Sequence, residues 1–194
     1  MRYVQHAEEV AVDSALDGAA AGFEDVAPLE EVFRKHHARI VAMLARLTGD
    51  RGQAEDIAGD VFCKLALRPP DGRGAAVVTA WIYRVAANAG FDALRSGARR
   101  RRREDAATSE HLRLTERPSA LEDILREERR ARVRAVLADL KPRDSQVLLL
   151  RSSGMAYREI AEALGVPATS VGTMLARAEA AFERRFRKRN GDWK

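Results

Sequence analysis

The chain has 194 residues, 46% of them apolar and 32% charged, with a formal net charge of +5. That balance belongs to soluble globular proteins of one or two domains. No run approaches the roughly 18 apolar residues of a membrane span, and no basic stretch followed by an apolar one opens the chain, so a cytoplasmic protein without a membrane span is expected. The single cysteine, Cys63, excludes an internal disulfide and, beside Phe62 and Leu65, reads as a small buried hydrophobe.

Charge is unevenly divided. Residues 1–27 carry a net −5, residues 28–103 a net +7, residues 104–118 a net −2 and residues 119–194 a net +5. Two basic blocks separated by an acidic spacer fit two separate contacts with a polyanion, whose phosphates would supply much of the affinity.

In chain order, residues 1–27 form an acidic, Ala-rich tail with too few large apolar residues to offset the entropy of ordering. Pro28 then opens a helix with Leu29, Phe33, Ile40, Leu44 and Leu47 on one side, ending at Gly49 and Asp50. A second helix runs from about Arg51 to Leu67, with Ala54, Ile57, Ala58, Val61, Phe62 and Leu65 as its stripe, and Pro69 and Pro70 stop it. The third runs from about Val77 to Ser96 and buries Val78, Ile82, Val85 and Ala89.

The opposite side of that third helix carries Trp81, Arg84, Asn88, Asp92 and Arg95, spaced by three, four, four and three residues. Solvated faces are more commonly Glu and Lys. An indole and an amide can stack on and hydrogen-bond an unstacked base, and the five arginines Arg99 to Arg103 could hold the adjacent backbone. The competing reading packs Trp81 partly into the core and leaves the arginines as a solvated helix end; the residues alone leave both open.

Residues 104–118 lack a sustained period and read as a flexible linker. Ser119 can cap the next helix, with Glu122 at the capping-box position, and an apolar stripe continues to the Lys141–Pro142 break. The stretch from Asp144 to Phe186 then carries a helix-turn-helix pattern. Ala161, Gly165 and Val171 stand where that unit needs a small residue between its helices, a glycine in its turn and an apolar anchor on its second helix. Gly165 suits a left-handed helix end, and Pro167 suits the first turn of the following helix. Thr169, Ser170, Thr173 and Arg177 share the outward face of that second helix, donors suited to phosphates and base edges. A plain helical hairpin with a solvated face is the alternative for this stretch taken alone. No strand-like alternation competes, so the fold class is all-α: two small helical domains joined by a flexible linker, the second holding the helix-turn-helix.

Enzymatic signals are missing. His6, His36, His37 and His111 do not form a metal set, Gly72 and Gly74 lack the lysine of a phosphate loop, and no residue has a recognisable nucleophile context. No cofactor or metal is expected.

Taken in order, AEDIAGDVFCKL, TAWIYRVAANAGFDALR with its arginine run, and ALADLKPRDSQVLLLRSSGMAYREIAEALGVPATSVGTMLARA closely resemble the bacterial RNA polymerase sigma factors of the extracytoplasmic-function (ECF) group. The likeness covers about residues 28–187. It implies that residues 28–103 form a region-two-like domain and residues 119–190 a region-four-like domain. The first would bind the polymerase clamp through Asp56, Asp60, Phe62 and Lys64. It would melt the promoter element near minus ten through Trp81, Tyr83, Arg84 and Asn88, with Arg95, Arg99, Arg100 and Arg101 alongside. The second would read the element near minus thirty-five through Arg158, Thr169, Ser170, Thr173 and Arg177. Core RNA polymerase and promoter DNA, duplex and melted, are the implied partners, and an anti-sigma factor is left open as a third. Three positions depart from the family pattern: Gly59 replaces the usual Gln or Glu, and Gly172 and Met174 stand where Lys and Arg are common. The alternative function is a stand-alone helix-turn-helix regulator acting without polymerase.

Overall fold

The computed structural model describes residues 29–71, 74–107 and 120–191. The tail and most of the expected linker lie outside them, as does Ser119. Among the described residues there are seven helices and no strand: α1 (Leu29–Thr48), α2 (Arg51–Leu67), α3 (Ala75–Ala107), α4 (Ala120–Asp139), α5 (Pro142–Ser152), α6 (Tyr157–Leu164) and α7 (Ala168–Asn190).

The first core forms where α1, α2 and α3 meet. Ile40, Met43, Leu44 and Leu47 of α1 face Ala54, Ala58, Val61 and Leu65 of α2 and Val78, Ile82 and Phe91 of α3, all at most 2% exposed. Their three-to-four-residue spacing gives each helix one apolar stripe, and burying these stripes is what makes short helices stable. Gly90 sets the approach of α3 to α1. A Cβ there would lie 2.7 Å from Leu44 Cδ2 and 2.9 Å from Leu47 Cδ2, closer than packed carbons allow. The α1–α2 turn is closed by Gly49 at φ 79° and by Asp50, whose side chain caps α2 by accepting from the Gln53 N–H.

The same buried cluster continues into the second half, where α4 through α7 meet. Val136, Leu140, Val147, Leu150, Ile160, Val171, Leu175 and Ala178 are buried there. Gly165 ends α6 in the left-handed conformation, φ 63° and ψ 46°, as its position in the turn requires. Pro167 is the N-cap of α7, one step before the first-turn position expected for it.

Several sequence expectations change here. The third helix does not stop near Ser96 but continues to Ala107, so the arginine run is helical and residues 104–107 belong to α3 rather than to the linker. Cys63 is exposed, because α2 turns Phe62 and Leu65 inward and leaves position 63 on the outer side. Phe33 is 43% exposed and joins a surface aromatic cluster instead of the core, its ring stacked on His37 at 4.3 Å and edge-on to Phe62 at 4.9 Å. The two halves are also not held apart. α6 packs directly on α3, and α5 and α4 touch it as well.

Two glycines make opposite predictions. Gly90→Val should destabilise the fold by about 1–3 kcal/mol through overpacking against Leu44 and Leu47. Gly59 has open space where its Cβ would be, so Gly59→Ala should stabilise by roughly 1 kcal/mol through helix propensity. Denaturant unfolding of both variants checks the pair.

Candidate nucleic-acid and polymerase interface

The α3 face is only partly the one expected. Arg84, Asn88 and Asp92 are exposed and share one side of the helix, while Trp81 is half-buried against the first core. Tyr83 is not on this face. It is 1% exposed, its ring 5.8 Å from that of His36 and covered by the Arg39 guanidinium at 5.5 Å. One residue from Ile82 and four from Ala87, it lies toward the inner side of the helix, so direct contact with a melted base is closed to it in this arrangement. Arg95 is half-buried, its guanidinium 5.6 Å over the Phe91 ring, and its Nη2 is buried without a partner among the described residues. Arg99 and Arg100 are exposed farther along the helix. The side chains of Arg101 and Arg102 lie outside the described residues.

On α2, Asp56, Asp60 and Lys64 are exposed and form a charged outer face. Phe62 is 5% exposed and supports Phe33 and His37 from beneath, so it cannot serve as a surface contact in its own right.

The second helix of the helix-turn-helix presents Thr169, Thr173 and Arg177 to solvent, with Ser170 half-buried beside them. Arg177 leans toward the buried Asp144 carboxylate of α5, at 3.6 Å. That ion pair orients a guanidinium which is still 65% exposed, leaving its remaining donors free for an acceptor. Met174 is 9% exposed and belongs to the core, which takes it off the reading face. Gly172 faces Tyr157, whose Cε2 lies 3.8 Å from where its Cβ would be. Arg158 is exposed on the first helix of the unit. Glu159 caps α6 by accepting from the Ala156 N–H at 2.6 Å, a role Ala156 cannot reciprocate with its side chain.

Two contacts had no sequence signal. Arg39 of α1 donates from Nε and Nη2 to the Ser153 carbonyl oxygen, at 3.1 and 2.9 Å. Gln146 of α5 donates from Nε2 to Asn88 Oδ1. Both join residues more than fifty positions apart, which no local pattern encodes.

The sigma-70 region 2 family model matches residues 32–101, and the sigma-70 region 4 model matches residues 130–182. Together they cover well over half of the chain, in the family's order. The RNA polymerase sigma-H factor of Pseudomonas aeruginosa is 28% identical over 158 residues, which is 77% of this chain and 81% of the relative. The RNA polymerase sigma factor YlaC of Bacillus subtilis is 27% identical over 82% of this chain and 92% of its own length. The ECF RNA polymerase sigma factor SigE of Mycolicibacterium smegmatis is 28% identical, with 56% of its length covered. The chain therefore belongs to the sigma-70 family of RNA polymerase sigma factors, within the ECF group. Its function is transcription initiation with core RNA polymerase, and a region 2 match ahead of region 4 disfavours a stand-alone regulator. No described helix is long and apolar enough to cross a membrane.

His36 makes the first core pH-sensitive. Burial above all, then the Lys35 and Arg39 charges, holds its imidazole below the ordinary 6.5, with Glu159 pulling weakly the other way. The unfolded chain then binds a proton that the folded chain declines, so stability should be intact above that ordinary value and fall as the pH drops below it. Thermal unfolding from about pH 7.5 to about pH 5.5 should show a shallower loss in His36→Gln than in the wild type.

Proposed function

We propose that the two halves divide promoter recognition between them. Residues 28–103 take the polymerase clamp and the minus-ten element, residues 119–190 take the minus-thirty-five element, and the stretch between them, which begins as the last turn of α3, connects them. The observation that carries this reading is that both matched regions bear an exposed helix face with donors for nucleic acid: Arg84, Asn88 and Asp92 on α3, and Thr169, Thr173 and Arg177 on α7.

The chemistry differs as the two tasks require. A groove-reading helix in duplex DNA uses short hydroxyls and a guanidinium against base edges, which α7 offers. Opening a strand requires groups that compete with base stacking and pairing, which Trp81 and Asn88 supply, while Arg84, Arg95, Arg99, Arg100 and Arg101 add phosphate contacts. Asp56, Asp60 and Lys64 form the clamp contact, with Phe62 holding the adjoining aromatic cluster from within. Tyr83 acts from the core, fixing α3 against His36. The protein works in the cytoplasm, where core polymerase and promoters are found.

Reconstituted transcription with core polymerase on fragmented genomic DNA should yield promoter-dependent starts; the absence of any start would overturn the reading. On a promoter found in this way, Arg177→Ala should cost about 1–3 kcal/mol and relax preference at one base pair if Arg177 reads a base edge. Equal weakening on every sequence would make it a phosphate contact.

A further inference from the structure

A cleft of about 750 Å³ opens where the end of α1 meets the flank of α4, and no residue named above for the promoter elements or the clamp lines it. Five arginines reach it, Arg46 from α1 and Arg126, Arg129, Arg130 and Arg134 from α4, against the single carboxylate of Glu127. Ala45, Val133 and Leu137 add an apolar wall. The α4 residues recur at the three- and four-residue steps that put side chains on one side of a helix. Arg132 lies off that side, pairs with Glu128 at 2.7 Å and takes no part in the cleft.

The cations are positioned by their surroundings. Arg134 is only 13% exposed and lies against the turn that ends α1. A Cβ on Gly49 would fall 2.8 Å from Arg134 Cζ, so the guanidinium occupies space that a side chain there would take. The carbonyl end of α1 beside it carries partial negative charge, which favours a cation. Arg134 donates to Glu127 Oε1, and Arg130 Nη1 stands 3.6 Å from Oε2. The hydrogen bond from Arg134 above all holds the Glu127 carboxyl below its ordinary range, so the one acid of the cleft is already engaged. Arg129 donates from Nε to the Leu125 carbonyl, and neither it nor Arg46 has an ion pair among the described residues.

We infer that this cleft binds a nucleoside polyphosphate, its phosphates among Arg46, Arg126, Arg129 and Arg130 and its base on Val133 and Leu137. Guanidiniums meet phosphate oxygens through paired N–H groups, and their planes also stack on flat rings, which lysines do not reproduce. The volume lies in the range of small-molecule sites and suits one nucleotide. A nucleic-acid strand needs a continuous basic track with aromatic platforms for successive bases, and no aromatic side chain lines the cleft.

Calorimetric titration of the full chain with ATP and, separately, with inorganic tripolyphosphate tests the site. ATP should bind more tightly, because only the nucleotide uses the apolar wall; equal affinity for tripolyphosphate would defeat the nucleoside assignment. Arg46→Gln combined with Arg129→Gln should weaken ATP about tenfold at an unchanged unfolding temperature. Arg132→Gln combined with Arg187→Gln removes the same charge outside the cleft and should leave the affinity as it is. Equal weakening in the two double variants would mean that overall charge holds ATP, and the site would be lost.

A second measurement needs no substitution. In the unaltered chain, ATP should shift the backbone amide resonances of Gly49, Arg130 and Val133. Shifts confined to α3 or α7 would place ATP on the nucleic-acid faces and overturn the proposal. So would a random single-stranded oligonucleotide that displaces ATP from the cleft at a lower concentration than ATP itself requires, since the cleft would then be a track for nucleic acid.

Discussion

The structure depends on α3 having two sides that are both in use. Its inner side closes the first core at a separation set by Gly90, where the absence of a side chain lets the helix lie directly on Leu44 and Leu47. That close approach fixes the rotation of α3 about its own axis and so decides which residues look outward. Arg84, Asn88 and Asp92 owe their exposure to this packing, and Tyr83 owes its burial to the same rotation. A helix free to turn would present no defined face to a nucleic acid.

Electrostatics acts on a longer scale than packing. The basic excess in both halves draws the protein toward DNA without regard to sequence, and discrimination falls to a few uncharged donors and one oriented guanidinium. On α7 the reading face is nearly neutral, since Met174 belongs to the core and Gly172 to the contact with Tyr157. Arg177, steadied by Asp144, is the cation at its C-terminal end. On α3 the charge lies farther along the helix, in the arginines that continue it beyond Ser96. A continuous helix carries Arg95 and Arg99, seven and eleven residues on, along the side of Asn88, which a loose linker would not.

The Arg39 and Gln146 contacts join the two scales. Each is a single polar link, and exposed or half-exposed links of this kind are individually weak. The apolar contact of α6 on α3 beneath them supplies the rest.

The order of helices, their apolar stripes, the glycine at Gly165 and the polar face of α7 could all be read from the sequence, because each is a local pattern repeated every three or four residues. The family likeness was legible for the same reason, resting on residues close together in the chain. Cys63, Phe33 and Tyr83 lie on the other side from the one their sequence suggests, because position on a stripe's edge does not say which neighbour will cover it. The extension of α3 through the arginines was missed because a run of like charges does not look like a helix. What only the folded chain decided is which side of α3 is free: Tyr83 turned in, Asn88 turned out and then taken by Gln146. Those outcomes arise from contacts between residues far apart in sequence, where packing and desolvation are settled by the neighbours that arrive and not by the local chain.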